Sequence, residues 1–225
     1  MIKFIETEQQ QLKKDILDMF ELVINQIDRA GLALLTMDKG VASQVIVFEH
    51  KVDAFELKIC KDVEDYIALY NPVAIDLRFV LAMMQMSLDL ERIGDYARGI
   101  ARFVKETDES DFNPELLIDI QMEQMFKQVE QMLKLAKISL EEENTQLAHS
   151  IFEKDCLVNE IRDSAVDVLA SKIIKSEDTS SVKRMLHIQD VLRKYERTGD
   201  HIKNIAEEII FYIDAKNVKH KKGKL

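Results

Sequence analysis

Apolar side chains recur every three or four residues along most of the chain, which is the spacing of one buried helix face. The first such stripe follows Thr7–Gln10, a sequence typical of a helix N-terminus, and continues to about Met37. A turn at Asp38–Gly40 separates it from a second stripe that ends at Asn71–Pro72, because proline rarely continues a helix. A third stripe reaches about Lys105. The first half of the chain is therefore predicted to form three long helices.

The second half of the chain repeats this order of elements. Asn113 is a good N-cap and Pro114 suits the first helical position, so a fourth helix is predicted from there to about Glu142. After a short break a fifth helix continues to about Lys175, and after a polar loop a sixth ends near Ala215. The chain is thus predicted to be all-α, with six long helices in two sets of three.

The two sets of helices also match letter by letter. The segment Glu91–Asp95 reads ERIGD and recurs 105 positions later as ERTGD at Glu196–Asp200. For the second helix of each set the offset is 106, which pairs Glu49 with Asp155. An internal duplication into two tandem three-helix bundles is therefore predicted. Its parts are a first repeat at residues 1–108, a second at 109–215 and a basic, disordered tail at 216–225.

Composition supports a globular helical protein and argues against a β-rich or disordered one. Hydrophobic residues make up 47% of the 225 residues and charged residues 32%, with only 6 Gly and 2 Pro. The formal net charge is -10, and the ten C-terminal residues hold five lysines and no acid, so the rest carries about -15. We expect that this acidic body does not bind nucleic acid.

Membrane spans and targeting signals are not predicted. No apolar stretch approaches the roughly 20 residues that a membrane span needs. The N-terminal segment is polar and acidic, without the basic and then apolar order of a signal peptide. The sequence therefore predicts a soluble protein in the cytoplasm, whose terminal lysines are suited to contact anionic lipid at the inner face of the membrane.

Acidic residues four positions apart lie on one face of a helix, so their carboxylates repel unless a cation, a basic neighbour or solvent offsets them. In each set the third helix carries such a pair and the second helix carries a related pair. If these helices face each other, up to four oxygen donors converge, which suits magnesium, manganese or iron ions, with zinc also possible. The pairs are Glu91 with Asp95, Glu196 with Asp200, Glu49 with Asp53, and Asp155 with Asn159.

These pairs also fit a solvated helix face, with Arg92 and Arg197 as surface partners whose ion pairs contribute under about 1 kcal/mol. Recurrence in both repeats favours cation binding, because drift after duplication readily erodes a face that has only to be polar. Gly94 and Gly199 precede the closing Asp of each pair and cost about 1 kcal/mol of helix stability relative to Ala. Close approach of a neighbouring backbone, or room for an ion, would explain both glycines.

Sequence motifs of enzymes are absent from the chain. No histidine has Glu three positions before it, as in carboxylate-bridged di-iron bundles. There is no Walker loop, Gly-x-Gly-x-x-Gly, His-Glu-x-x-His or recognisable catalytic triad. His50 and His201 are predicted to be surface residues or to support the acids beside them, since helix neighbours point about 100° apart. The chain is therefore predicted not to be an enzyme.

Segments of both repeats resemble the signature of the PhoU family. Asp76–Ala82 (DLRFVLA) followed by Asp89–Asp95 (DLERIGD) resembles its first occurrence, and Glu196–His201 followed by Asn204–Glu207 (NIAE) resembles its second. The resemblance covers nearly the whole chain and includes the spacing between the two copies and the overall length.

This resemblance implies two three-helix bundles related by internal pseudo-twofold symmetry, with metal ions held in some members by acidic pairs. It also implies particular ligands by position. The first site would use Glu49, Asp53, Glu91 and Asp95, and the second would use Asp155, Glu196 and Asp200. The second set departs from the family pattern because Asn159 stands where an acid is expected.

The resemblance further implies a regulatory role. PhoU proteins signal phosphate sufficiency from the high-affinity phosphate ABC transporter to a membrane sensor histidine kinase, and so repress the phosphate-starvation response. The expected partners are the transporter ATPase and the kinase, with peripheral association with these membrane proteins and a homodimer. Two alternatives stay open: an accessory subunit of another phosphate or anion transporter, and a carboxylate-cluster metal-binding protein for storage or metal-assisted phosphoester hydrolysis.

Overall fold

Residues 2–108 and 113–216 are described by a computed structural model, and they form seven α-helices and no strand. The helices are α1 (Ile2–Thr36), α2 (Lys39–Tyr70), α3 (Ile75–Glu106), α4 (Pro114–Asp119), α5 (Met122–Glu141), α6 (Thr145–Ile174) and α7 (Thr179–Asp214). Helices α1, α2 and α3 pack as one bundle, and α5, α6 and α7 pack as a second. The predicted all-α fold of two tandem three-helix bundles with pseudo-twofold symmetry is confirmed.

Side-chain caps define where several of these helices begin. Asp38, Asn113, Asn144 and Asp178 precede α2, α4, α6 and α7, and each side chain accepts hydrogen bonds from backbone N–H groups of the first turn. The N-terminus predicted at Thr7 was wrong, because α1 already includes this residue. Ile5 precedes the capping sequence and packs against the core, so the helix extends past that sequence in the N-terminal direction.

The predicted fourth helix is divided into α4 and α5, which is why seven helices replace the six expected. Gln121 between them has φ 53° and ψ 34°, a left-handed conformation that ends α4. Ile120 and Met122 are both buried, yet residues two apart on a continuous helix point about 200° apart. The break therefore allows both side chains to face the core.

The apolar faces of the two bundles join in one core, because α3 packs against α7 and α1 packs against α5. At the second of these contacts a Cβ on Gly31 would lie 2.4 Å from Cε2 of Phe126. The Phe126 ring is buried and its centroid lies 6.3 Å from that of Tyr195 on α7. Only glycine fits at position 31 while the ring stays in place.

Two sequence predictions concern residues outside the described ranges. The boundary predicted between the repeats falls at 109, within the segment 109–112, and all of the predicted tail except Lys216 lies outside the described residues. Both stay predictions. Within residues 2–108 and 113–216, no helix combines enough length with enough apolar character to cross a bilayer.

Candidate functional site

The acidic pairs lie where the second and third helices of each bundle cross at short distance. A Cβ on Gly94 of α3 would lie 3.3 Å from Cγ1 of Val52 on α2. A Cβ on Gly199 of α7 would lie 3.0 Å from Oδ1 of Asp155 and 3.7 Å from Cγ1 of Val158, both on α6. Side chains of neighbouring helices therefore occupy the space beside each glycine, whereas the sequence suggested close approach of a backbone or room for an ion.

The structure brings the acids of the first predicted site together across the α2–α3 contact. Glu49 is only 3% exposed and forms an ion pair with the guanidinium group of Arg98. The same guanidinium lies 2.6 Å from Oδ1 of Asp95. Burial raises the pKa of Glu49, and Asp95 and Asp53 add to the rise, whereas Arg98 opposes it. Arg98 therefore leaves part of the negative charge of this cluster uncompensated.

The pKa of Glu91 is also raised, and crowded negative charge contributes to the rise. Burial raises its pKa, and the nearby Asp95 and Asp53 raise it further, while Arg92 lowers it. Arg92 lies 3.6 Å from both Glu91 and Asp95, and its side chain is largely exposed, so water screens its attraction. Glu49, Asp53, Glu91 and Asp95 together are called the first acidic set. This set thus retains a surplus of negative charge at the helix crossing.

This first set fits a hard cation by the chemistry of its donors. Carboxylate oxygens are the ligands that magnesium, manganese and iron ions accept, and a bound ion would offset the burial and the repulsion that together raise the pKa values of Glu49 and Glu91. Glu49, Asp53 and the neighbouring His50 each have one ligand atom within 4.8 Å of the others. Glu91 and Asp95 do not belong to this group, so the full ligand set Glu49, Asp53, Glu91 and Asp95 stays a prediction, and an ion held there would supply a local positive charge. His50 is mostly exposed, as predicted.

The second acidic set, which consists of Asp155, Glu196 and Asp200, has a different charge balance. Nζ of Lys203 lies 2.8 Å from Oδ2 of Asp155, which is 5% exposed, and 2.9 Å from Oδ1 of Asp200. Burial alone would lower the pKa of Lys203, but its hydrogen bonds to these two carboxylates raise it. Asn159 donates a 2.8 Å hydrogen bond to Oδ2 of Asp155. An ammonium group already lies between two carboxylates of the second set.

The remaining acid of the second set, Glu196, lies one helical turn before Asp200 on α7. Arg197 is 3.7 Å from Glu196 and 3.3 Å from Asp200, as Arg92 is placed in the first repeat. A metal ion would have to displace Lys203 to reach both Asp155 and Asp200. The ligand set Asp155, Glu196 and Asp200 therefore stays a prediction, and its geometry fits an ion less well than the first set does.

Arg98 and Lys203 are site residues that the sequence interpretation missed. They are 105 positions apart and each follows the closing Asp of its pair by three residues. Each links the buried acid of the second helix with the closing acid of the third. The repeat offset was the signal that could have identified them, because it aligns two basic residues as well as the acids.

A second polar contact links the two repeats and was also missed. Asp89 of α3 is 3% exposed, and its Oδ1 lies 2.7 Å from Nδ1 of His201 on α7. Nδ2 of Asn204 donates a 3.2 Å hydrogen bond to the same oxygen. His201 therefore contacts the opposite repeat, although its position beside Asp200 suggested a surface group or a support for the acidic set.

The equivalent point on the other side of the pseudo-twofold axis has different chemistry. The 105-residue offset places Lys194 at the position of Asp89, and Gly99 at the position of Asn204. A Cβ on Gly99 would lie 2.6 Å from Cε of Lys194, so the lysine stem fills the space that glycine leaves. The symmetry between the repeats is therefore geometric but not chemical.

The fold and these contacts define a duplicated three-helix-bundle protein with one acid–base cluster across the second and third helices of each repeat. The family model described as the PhoU domain matches such a repeat twice in this chain, at residues 16–104 and 122–209. The chain belongs to the PhoU family.

Bacterial relatives are similar to this chain along most of their length. A phosphate-specific transport system accessory protein PhoU homolog of Aquifex aeolicus is 33% identical, over 95% of this chain and 94% of that protein. The homolog of Pseudomonas aeruginosa is 30% identical, over 95% of this chain and 86% of that protein.

Solved structures give the same result. The crystal structure of PhoU from Pseudomonas aeruginosa superposes with a TM-score of 0.88 at 29% identity, covering 94% of this chain and 99% of that one. The phosphate transport system regulatory protein PhoU from Streptococcus pneumoniae superposes with a TM-score of 0.85 at 26% identity, covering 95% and 99%. Both repeats and their relative arrangement are therefore similar to those of PhoU structures.

Proposed function

We propose that this chain is a non-enzymatic accessory protein of a phosphate transport system and a negative regulator of phosphate uptake and of the phosphate-starvation response. The observation that carries this proposal is the match to proteins named for that system across both repeats, over 95% of the chain. The similarity to a crystal structure titled as a regulatory protein supports the same role.

In this proposal the chain links the phosphate ABC transporter to its sensor histidine kinase. It acts as a homodimer at the cytoplasmic face of the membrane, where the transporter ATPase and the kinase are its partners. Two repeats with similar shape but different side chains at equivalent points support two distinct contacts. An accessory role at another phosphate or anion transporter is the alternative, and it predicts association with that transporter instead.

The regulatory role is tested by deleting the gene in its own host. Genes of the phosphate-starvation response should then be expressed in phosphate-rich medium, and a plasmid copy of the chain should restore repression. Unchanged expression after deletion would contradict the proposal. Affinity purification from membranes should recover the phosphate transporter ATPase, whereas recovery of an unrelated anion transporter would favour the alternative.

A second candidate function, cation binding at the first acidic set, rests on ligand atoms of Glu49, His50 and Asp53 that lie within 4.8 Å of one another, and the raised pKa values of Glu49 and Glu91 support it. Elemental analysis and titration of the purified protein with manganese, magnesium, iron or zinc ions should detect binding. Glu91→Ala and Asp95→Ala should abolish it, whereas Glu123→Ala removes an exposed acid on α5 and should not. Equal binding by all three variants would exclude this site.

Storage and hydrolysis make different predictions from regulation. Metal-dependent turnover of a phosphate ester that is lost in Glu91→Ala would contradict the non-enzymatic role. Repression of the starvation response that persists in Glu91→Ala would separate cation binding from regulation.

A further inference from the structure

A buried amide on α1 belongs to the core of the first bundle. Gln26 is only 1% exposed, and neither Oε1 nor Nε2 of its side chain has a hydrogen-bond partner among the described residues. A buried amide without partners costs free energy, because the hydrogen bonds it makes to water in the unfolded chain are not replaced. Such a group is expected to have a partner outside the polypeptide, either an ordered water molecule or a ligand.

The amide oxygen of Gln26 ends where the helices of the first acidic set cross. Gly94 directly precedes Asp95 on α3, and a Cβ on this glycine would lie 3.0 Å from Oε1 of Gln26. The same Cβ would lie 3.3 Å from Cγ1 of Val52, which directly precedes Asp53 on α2. The amide therefore contacts the segments of both helices that carry the acids.

The second repeat has an apolar side chain at the equivalent position. The 106-residue offset places Met132 at the position of Gln26, and Cε of Met132 lies 3.9 Å from where a Cβ on Gly199 would be. The oxygen 3.0 Å from that Cβ position belongs to Asp155, an acid of the second acidic set. The bundle can therefore hold an apolar side chain at this point, and its architecture does not require the amide of Gln26.

The two acidic sets also differ in their need for positive charge. The four carboxylates of the first set form ion pairs with two guanidinium groups among the described residues, those of Arg98 and Arg92, and Arg92 is 61% exposed. In the second set, the ammonium group of Lys203 lies within 2.9 Å of two carboxylates. The unpartnered amide thus accompanies the set whose negative charge is less well compensated.

We propose that Gln26 is a further residue of the cation site at the first acidic set, where its amide oxygen accepts a hydrogen bond from water bound to a hard divalent cation. Magnesium ions usually keep several water ligands when they bind to proteins. A neutral amide oxygen accepts from such water without adding charge to the site. Residues that hydrogen-bond the ligands of a metal ion typically change its affinity by about 10–100-fold. This inference rests on the cation binding proposed above.

The test is calorimetric titration of the full chain, freed of metal with a chelator, with manganese chloride. Wild-type protein should show saturable binding, and Gln26→Met, which introduces the side chain of the second repeat, should lower the affinity at least about tenfold. Gln26→Leu, a second apolar variant, should give the same loss. Gln10→Met makes the same change at an exposed position of α1 and should change the affinity less than about twofold.

Urea unfolding of the same proteins separates a role in cation binding from a purely structural role. Without metal, the midpoint of Gln26→Met should equal or exceed that of wild-type protein, because the variant removes a buried amide without partners. With manganese, the midpoint of wild-type protein should rise more than that of the variant. A lower midpoint of both Gln26 variants without metal would show that the amide stabilises the fold itself, and would overturn the inference.

The calorimetric outcomes distinguish this inference from the proposals on which it depends. Unchanged manganese affinity in Gln26→Met and Gln26→Leu would overturn it and leave the cation site in place, with Gln26 bound to internal water only. An equal loss in Gln10→Met would overturn it as well. Absence of manganese binding by wild-type protein would remove both the cation site and this inference. None of these results bears on the regulatory role, which the gene deletion tests separately.

Discussion

Replacing Arg98 with methionine isolates the charge balance of the first acidic set. Arg98 is the cation that contacts Glu49, and Glu49 is 3% exposed at the α2–α3 contact. Methionine keeps the length and apolar character of the side chain and removes only the guanidinium. Without it, Glu49 is a buried carboxylate among Asp53, Glu91 and Asp95.

The size of the effect is limited by the free energy needed to protonate Glu49, because protonation removes the buried charge. Its ordinary pKa is 4.5, so neutralising it at pH 7 costs at most about 3.4 kcal/mol, and at about pH 5.5 about 1.4 kcal/mol. A carboxyl whose pKa is raised in the folded state loses stability as the pH rises from its unfolded value through its folded value. The destabilisation of Arg98→Met should therefore be larger at pH 7 than at about pH 5.5.

Urea unfolding followed by circular dichroism measures this difference in the free energy of unfolding. The matched control is Arg92→Met, on the same helix, because Arg92 is 61% exposed and lies 3.6 Å from its partners. Its effect should be below about 1 kcal/mol and nearly independent of pH. Equal effects of the two variants, or a loss in Arg98→Met that does not change with pH, would refute this reasoning.

Three further predictions follow from other contacts. Gly31→Ala places a methyl group 2.4 Å from the buried Phe126 ring and should destabilise the protein by about 1–3 kcal/mol in urea unfolding. Gly99→Ala places one 2.6 Å from the flexible stem of Lys194, which can move aside, so helix propensity should leave stability unchanged or raise it by up to about 1 kcal/mol. A destabilisation equal to that of Gly31→Ala would contradict this distinction. Asp89→Ala leaves two donors of the opposite repeat without their acceptor and should cost about 3 kcal/mol, and a loss under about 0.5 kcal/mol would show that this contact does not hold the repeats together.

The fold could be predicted because its signals are local and repeated. Apolar spacing and side-chain caps such as Asn113 mark helices wherever packing and sequence preference agree. The break at Gln121 could not be predicted, since the apolar stripes on both sides each indicate helix and only the shared core requires a change of direction. The predicted start of α1 at Thr7 was wrong, because a capping sequence can also lie within a longer helix.

The acidic residues of the candidate site could be predicted from the sequence, but their basic partners could not. Spacing of four placed Glu91 and Asp95 on one face, and the duplication singled out the same face twice. Arg98 contacts an acid on another helix, so only the tertiary contact between α2 and α3 identifies it as a partner. The contact of Asp89 could not be predicted by comparing the repeats, because the matching position of the other repeat is Lys194 and the partners of Asp89 belong to that other repeat.

The contacts on the two sides of the pseudo-twofold axis differ, so the two repeats are not chemically interchangeable. A carboxylate of Asp89 accepts from imidazole and amide groups on one side, while the stem of Lys194 covers Gly99 on the other. A protein with two identical halves would be unchanged by a half-turn about its axis. Asp89 is 3% exposed, so the difference between the two sides lies within the contact between α3 and α7. Exchanging the two repeats would place mismatched side chains against each other, and each bundle therefore has only one place in the molecule.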